Sequence, residues 1–261
     1  MFHIFLHTEN TTESIKEINK YAIGQTGEID NMDSTGSSNL KRIVAEKAVN
    51  DYVKDGMVVG LGTGSTAAYA IKKVGELIAG GYGITCVSTS RQTEALAAES
   101  GIIIVPLCDV DHVDITIDGA DEVDPNLQLI KGLGGALLRE KIVAAATLKE
   151  IIIVDNSKIV EKLGTRSPLP VEVIPYGHTK TAYALGKQGC IPTLRKIDGK
   201  IFTTDCGNYV YDCKFESIDN PFFLESRLNV IPGVVENGLF LNTASVVLVS
   251  HPDGTITKME K

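Results

Sequence analysis

Positive charge is what this chain is short of. Its 261 residues carry 25 lysines and arginines against 33 aspartates and glutamates, a formal net charge of −8. General binding to nucleic acid or to an anionic membrane rewards a basic surface, so both are excluded as the main business of the protein, while a local basic pocket is not. Paired cysteines are also missing. Cys86, Cys108, Cys190, Cys206 and Cys213 form no Cys-x-x-Cys motif, and an odd count fits a reduced, cytoplasmic chain better than a disulfide framework. The five histidines are scattered (His3, His7, His112, His178, His251) without the helical spacing of a two-histidine metal site, so no metal is expected. No apolar run approaches the roughly 20 residues of a membrane span. The opening residues Met1–His7 have no basic segment before a run too short for a signal peptide.

What is present is an ordinary globular composition, 43% hydrophobic and 22% charged, in a chain long enough to bury a real core. Residues 1–38 are rich in Thr, Glu, Asn, Ser and Gly and are expected to be a disordered extension. From Leu40 the apolar spacing predicts a helix to Val53. Short, continuous apolar runs then alternate with helical periodicity: Met57–Leu61, Ile84–Val87, Ile102–Val105, Ile115–Ile117 and Ile151–Val154 read as strands. That rhythm means βαβ units and a mostly parallel α/β sheet. After Ser167-Pro168-Leu169-Pro170 the pattern becomes α+β: strands at Val171–Ile174, Ile201–Thr204 and Tyr209–Asp212, helices near Thr179–Lys187 and Phe222–Leu228. Ser245–Val249 again has the look of the first sheet. The expected organisation is a Rossmann-like domain over 39–168 plus 243–261, with 169–242 inserted as a smaller module.

Three loops, a helix and one further lysine carry the candidate chemistry. Gly60-Leu61-Gly62-Thr63-Gly64-Ser65-Thr66 joins a strand to a helix, where backbone N–H groups and the positive helix end favour a phosphate. A tight turn is the competing reading. A dinucleotide fingerprint does not fit: Ser65 holds the third glycine position, and no acid ends the second strand. Asp118-Gly119-Ala120-Asp121 follows the fourth strand at the sheet edge where α/β ligands bind, although Asp-Gly is also common turn chemistry. Glu122 is read as solvated, and Asp124-Pro125-Asn126 as ordinary loop. Lys131 then opens the glycine-rich run Gly132-Leu133-Gly134-Gly135, which feeds a helix bearing Glu140. A carboxylate, an ammonium and bare amides are the parts of a proton-transfer site for an anionic, oxygen-rich substrate. For Glu140 alone two readings are open. Beside Leu137 and Ala144 it would border the buried face, where desolvation raises the pKa as suits a general base, whereas spacing by itself favours an ordinary first-turn glutamate stabilised by the helix dipole. Lys158 follows the fifth strand and would share the same edge.

Taken together and in order, Gly62–Thr66, Asp118–Asp121, Lys131–Gly134, Arg139-Glu140-Lys141, Ser157-Lys158 and Leu169–Val173 resemble ribose-5-phosphate isomerase, type A, as do Ile231–Val235 and Pro252-Asp253-Gly254. The chain departs from the family at Leu133, where a glycine is common. The resemblance implies interconversion of D-ribose 5-phosphate and D-ribulose 5-phosphate without metal or cofactor. It also implies a Rossmann-like domain with a ferredoxin-like insertion for closure and assembly, as a homodimer or homotetramer. Glu140 would be the general base, Asp118 and Asp121 would serve ring opening, and Lys131 with the amides of Gly132, Leu133, Gly134 and Gly135 would stabilise the enediolate. Thr63, Gly64, Ser65, Thr66, Gly119, Ala120 and Lys158 would bind substrate, with Lys41 a weaker addition. The alternatives are a non-catalytic sugar-phosphate sensor and a different enzyme of the same broad fold, such as a CoA transferase.

Overall fold

Residues Val58–Leu61 (β1) are apolar in succession because the strand they form is covered on both faces. In this computed structural model, which describes residues 33–260, β1 lies inside a six-stranded sheet. Its other strands are β2 (Thr85–Ser88), β3 (Val113–Asp118), β6 (Thr147–Asp155), β14 (Ala244–Ser250) and β15 (Ile256–Glu260). The order is β15-β14-β6-β3-β1-β2, parallel except for the antiparallel edge strand β15. The period-2 alternation of β6 shows how the core divides. Ile151 and Ile153 face α1 (Asp33–Tyr52) and α2 (Ala67–Ala79), whereas Ile152 and Val154 face α4 (Leu137–Ala145) and Phe240. Each such fully buried isoleucine contributes about 1.5–3 kcal/mol of transfer free energy.

The sheet order positions the site. From β1 the chain crosses through α2 to β2 on one side, then returns through α3 (Arg91–Glu99) to β3 on the other. The loops leaving β1 and β3 therefore diverge, and a crevice opens between them at the carboxyl edge of the sheet.

Between β6 and β14 lies a second, antiparallel sheet of β7 (Leu169–Val173), β8 (Ile191–Leu194), β11 (Tyr209–Lys214) and β12 (Val234–Asn237), with helices α5 (His178–Gly186) and α6 (Pro221–Leu228). Its order, β12-β7-β11-β8, with a helix after β7 and another after β11, is a ferredoxin-like arrangement. A small hairpin, β9 (Lys196–Ile197) with β10 (Lys200–Ile201), extends from it. A third sheet of β4 (Glu122–Val123), β5 (Leu129–Ile130) and β13 (Leu239–Phe240) carries Lys131 at the exit of β5.

Several expectations need correction. Ile102–Val105 is not a strand; only Ile104 bridges, to Cys86, while Ile103 is 85% exposed and Pro106, without an N–H, ends the approach. Ile201–Thr204 does not continue as one strand either: Lys200–Ile201 belongs to the hairpin and Thr203 makes a lone bridge to Tyr209. The first helix begins at Asp33 instead of Leu40. The extension expected over 1–38 otherwise lies outside the described residues. Glu122 is fully buried, not solvated. Its carboxylate accepts the backbone N–H groups of Gly164, Arg166 and Ser167 at 2.6, 2.7 and 2.5 Å, so it ties down a loop more than 40 residues away in sequence.

Candidate active site

The loop after β1 approaches the end of β3 so closely that only glycine fits at position 62. A Cβ there would lie 2.6 Å from the Asp118 Cα. One residue on, Thr63 N–H donates to Asp118 Oδ1 (3.0 Å), and the Thr63 hydroxyl joins Thr89, Ser90 and Thr93 in a hydroxyl cluster. Gly64 takes a positive φ of 111°, and α2 starts just beyond, at Ala67. Thr66 at the helix entrance makes no capping hydrogen bond with its side chain, so the first turn keeps donor groups for an anion. Lys41, from α1, donates to Ser65 Oγ at 3.1 Å.

Asp118 is 1% exposed, and its carboxylate is fully engaged by Thr63 N–H, Gly119 N–H and the Lys131 ammonium, the last at 3.0 Å. Lys131 is 2% exposed; it donates to Gly119 O, lies 3.6 Å from Glu140 Oε2 and sits 5.3 Å from the centre of the Phe240 ring. Burial alone would push its pKa down, but Asp118, Glu140 and Glu150 together hold it above the ordinary lysine value. Lys131 is therefore favoured as a cation by its neighbours.

Glu140 lies in the first turn of α4 and is only 5% exposed, with Oε2 lacking any hydrogen-bond partner. Burial raises its pKa to about 8; Lys131 works against that, and Asp118 and Asp121 add to it. Of the two readings open from sequence, the buried carboxyl is the one observed, since a solvated first-turn glutamate would not sit this deep. Asp121 accepts the Leu133 N–H (2.9 Å), and burial likewise raises its pKa against the pull of that N–H and of Lys131, Lys158 and Arg195.

A cavity of about 150 Å³ joins these parts. Its walls include Thr63, Gly64, Ser65, Thr66, Gly119, Ala120, Asp121, Lys131, Gly132, Gly134, Glu140 and Lys158, together with Lys41. Two residues expected to touch substrate are not on the wall. Asp118 stands behind Lys131 because every oxygen it has is used by the scaffold, and Leu133 is turned out, 41% exposed, with its N–H spent on Asp121. Among the described residues, no group of three or more His, Cys, Asp or Glu side chains is arranged to hold a metal ion.

The structure also brings in residues that the sequence reading passed over. Glu150, buried on β6, has an unpartnered Oε2 and acts electrostatically on Lys131. Arg195 reaches from the second sheet to the carbonyls of Gly132 and Leu133, both at 3.0 Å. A buried acid within a strand and a lone arginine beyond a short strand carry no local pattern; only the fold places them here.

Comparisons with known proteins identify relatives over most of the chain. A family model described as ribose 5-phosphate isomerase A (phosphoriboisomerase A) matches residues 85–254. The ribose-5-phosphate isomerase A of Gloeobacter violaceus is 51% identical over 216 residues, covering 82% of this chain and 94% of that protein. Its counterpart from Listeria monocytogenes is 46% identical over 224 residues, covering 85% and 99%. Among solved structures, ribose 5-phosphate isomerase from Plasmodium falciparum superposes with a TM-score of 0.84 at 42% identity, covering 86% of this chain and 99% of that one. A D-ribose-5-phosphate isomerase in complex with phospho-erythronic acid gives 0.83 at 42% identity, with 86% and 99% covered. The chain belongs to the ribose 5-phosphate isomerase A family.

Proposed function

We propose that the chain interconverts D-ribose 5-phosphate and D-ribulose 5-phosphate, with Glu140 as general base and a cis-enediolate as intermediate. One observation carries this reading: a buried Glu140 carboxyl, its Oε2 without a hydrogen-bond partner, shares the cavity wall with the Lys131 cation 3.6 Å away. Proton abstraction beside a carbonyl needs that pair, a base to take the proton and a fixed positive charge where the negative charge develops. The solved relative with phospho-erythronic acid supports it, because that acid places a planar, anionic pair of oxygens on a phosphorylated carbon chain.

In the forward direction Glu140 takes the C2 proton of the open-chain aldose. The C–H electron pair becomes the C1–C2 double bond, and the aldehyde π pair moves onto O1. Two of the Lys131 directions are occupied by Gly119 O and Asp118, which leaves an N–H for the charged oxygen. A proton passes from O2 to O1, with Asp121 as the wall carboxyl that relays it, and Glu140 returns its proton to C1 to leave the ketone at C2. Asp118 serves by fixing Lys131, and ring opening falls to Asp121. Lys41, Ser65, Thr66, Lys158 and the start of α2 hold the phosphate, whose binding energy positions the reacting carbons. No step calls for a metal or an organic cofactor. Residues 169–242 are read as the module for closure and assembly into a dimer or tetramer. The five free cysteines support a reducing, cytoplasmic setting.

The test is conversion of ribose 5-phosphate by the purified full chain in D₂O with excess EDTA. Turnover with solvent deuterium appearing at C1 of the ketose is expected. Absence of turnover, with ribose 5-phosphate still raising the melting temperature, would replace the enzyme by a sugar-phosphate sensor.

A further inference from the structure

Arg195 lies at the end of β8 in the second sheet, outside the cavity wall, and its side chain is only 10% exposed. It is fixed from behind: Nε donates to Asp212 Oδ2 at 2.9 Å, Nη2 to the other carboxylate oxygen, and the guanidinium lies 5.7 Å from the centre of the Phe202 ring. Phe202 in turn presses on the loop, because a Cβ at Gly135 would stand 2.3 Å from that ring. From this seat the single nitrogen Nη1 donates to two consecutive carbonyls of the glycine-rich loop, Gly132 O and Leu133 O, each at 3.0 Å.

Those two bonds determine where the loop's amides point. The described backbone has no cis peptide, and in a trans peptide the C=O and the following N–H point in opposite directions. With Gly132 O drawn to Arg195, the Leu133 N–H faces the other way, and it is found on Asp121 Oδ2. With Leu133 O drawn to the same guanidinium, the Gly134 N–H must also face away from Arg195. Gly134 lines the cavity and Arg195 does not. The neighbouring Gly135 N–H is used inside the loop, on Gly132 O, whereas the Gly132 and Gly134 N–H groups have no intramolecular acceptor among the described residues, and of those two only the Gly134 N–H belongs to a peptide held by Arg195.

We propose that Arg195, seated on Asp212 and Phe202, is a positioning residue that aims the Gly134 N–H into the cavity at the anionic oxygen of the bound enediolate. This rests on the isomerase reading above. It makes the second sheet a working part of the catalytic site and puts a substrate-facing donor at Gly134, while the Leu133 N–H is committed to Asp121. Leu133 is then tolerated where a glycine is common, since its side chain points out and its N–H serves Asp121.

The experiment compares wild type with Arg195→Ala, Arg195→Lys and Asp212→Asn in the full chain. It measures kcat and KM for ribose 5-phosphate, and inhibition by phospho-erythronic acid and by inorganic phosphate. A lysine keeps the charge but has no planar fork to span Asp212 and two carbonyls. Misaiming one oxyanion donor is expected to lower kcat about tenfold to a hundredfold, below the cost of deleting such a donor outright. Phospho-erythronic acid should weaken by the same factor, inorganic phosphate should change less than twofold, and added guanidinium should restore part of the Arg195→Ala loss. Unchanged kcat in both arginine variants would overturn the proposal. A loss of phosphate affinity in step with kcat would also overturn it, by showing general collapse of the pocket. A wild type that fails to isomerise ribose 5-phosphate would instead bring down the functional reading on which this rests.

Discussion

The Lys131 ammonium stands 3.6 Å from Glu140 Oε2, near enough to act as its counter-charge and longer than an ordinary hydrogen bond. Asp118, at 3.0 Å, holds the ammonium in that position. The carboxylate is thus kept beside a cation without being capped by it, and its lone pairs remain available for a proton from carbon.

This arrangement sets the pH dependence. Burial raises the Glu140 pKa from 4.5 to about 8, and a general base works only when ionised. The account expects kcat/KM to climb with pH below about 8 and to level above it, a limb absent from a base of ordinary glutamate pKa. The stability consequence has the opposite slope. Between pH 4.5 and about 8 the folded state holds a proton that the unfolded chain has released, so this group's contribution is present at acid pH and lost as pH rises. The Tm of Glu140→Gln relative to wild type should therefore increase from pH 5 to pH 8; a difference independent of pH would contradict the raised pKa.

Lys131→Met removes the one cation that Asp118, Glu140 and Glu150 share in the buried cluster. Breaking a buried ion pair from one side costs about 3–5 kcal/mol, because the remaining charge is uncompensated. The loss should be greater at pH 8 than at pH 5, where Glu140 and Glu150, both held above the ordinary glutamate value by burial, can take up protons. Urea denaturation at the two pH values checks this, and a wild-type midpoint at pH 8 would refute it.

Lys158→Ala should act on binding more than on chemistry. The residue is half-buried on the wall that also carries Lys41, Ser65 and Thr66, so it offers the phosphate a charge common to ground and transition states. A several-fold rise in KM with little change in kcat is the expected result. An unchanged KM would place the phosphate elsewhere.

Much of the site was legible in the chain because it is local: a glycine loop between a strand and a helix, paired aspartates after an apolar run, a lysine opening a second glycine loop. The parallel sheet was legible from continuous apolar runs, and the return of Ser245–Val249 to that sheet from its similarity to them. What escaped depends on distant partners. Glu122 looked like a loop acid, and only the folding-back of Gly164–Ser167 gives it three N–H donors and a buried place. Ile102–Val105 has strand composition, yet it stays at the sheet edge with Ile103 in solvent. Helical spacing left Glu140 undecided, since α4 is apolar on most sides; its depth is decided by β3, Lys131 and Asp118 closing over it.

The most direct test of the central claim is kcat for Glu140→Gln measured beside wild type with ribose 5-phosphate. The amide keeps the shape of the side chain and removes its ability to take a proton. The account predicts a correctly folded protein with phosphate affinity intact and kcat lowered by at least about 10²-fold, the usual scale for losing a general base. Turnover at the wild-type rate in that variant would take Glu140 out of the mechanism.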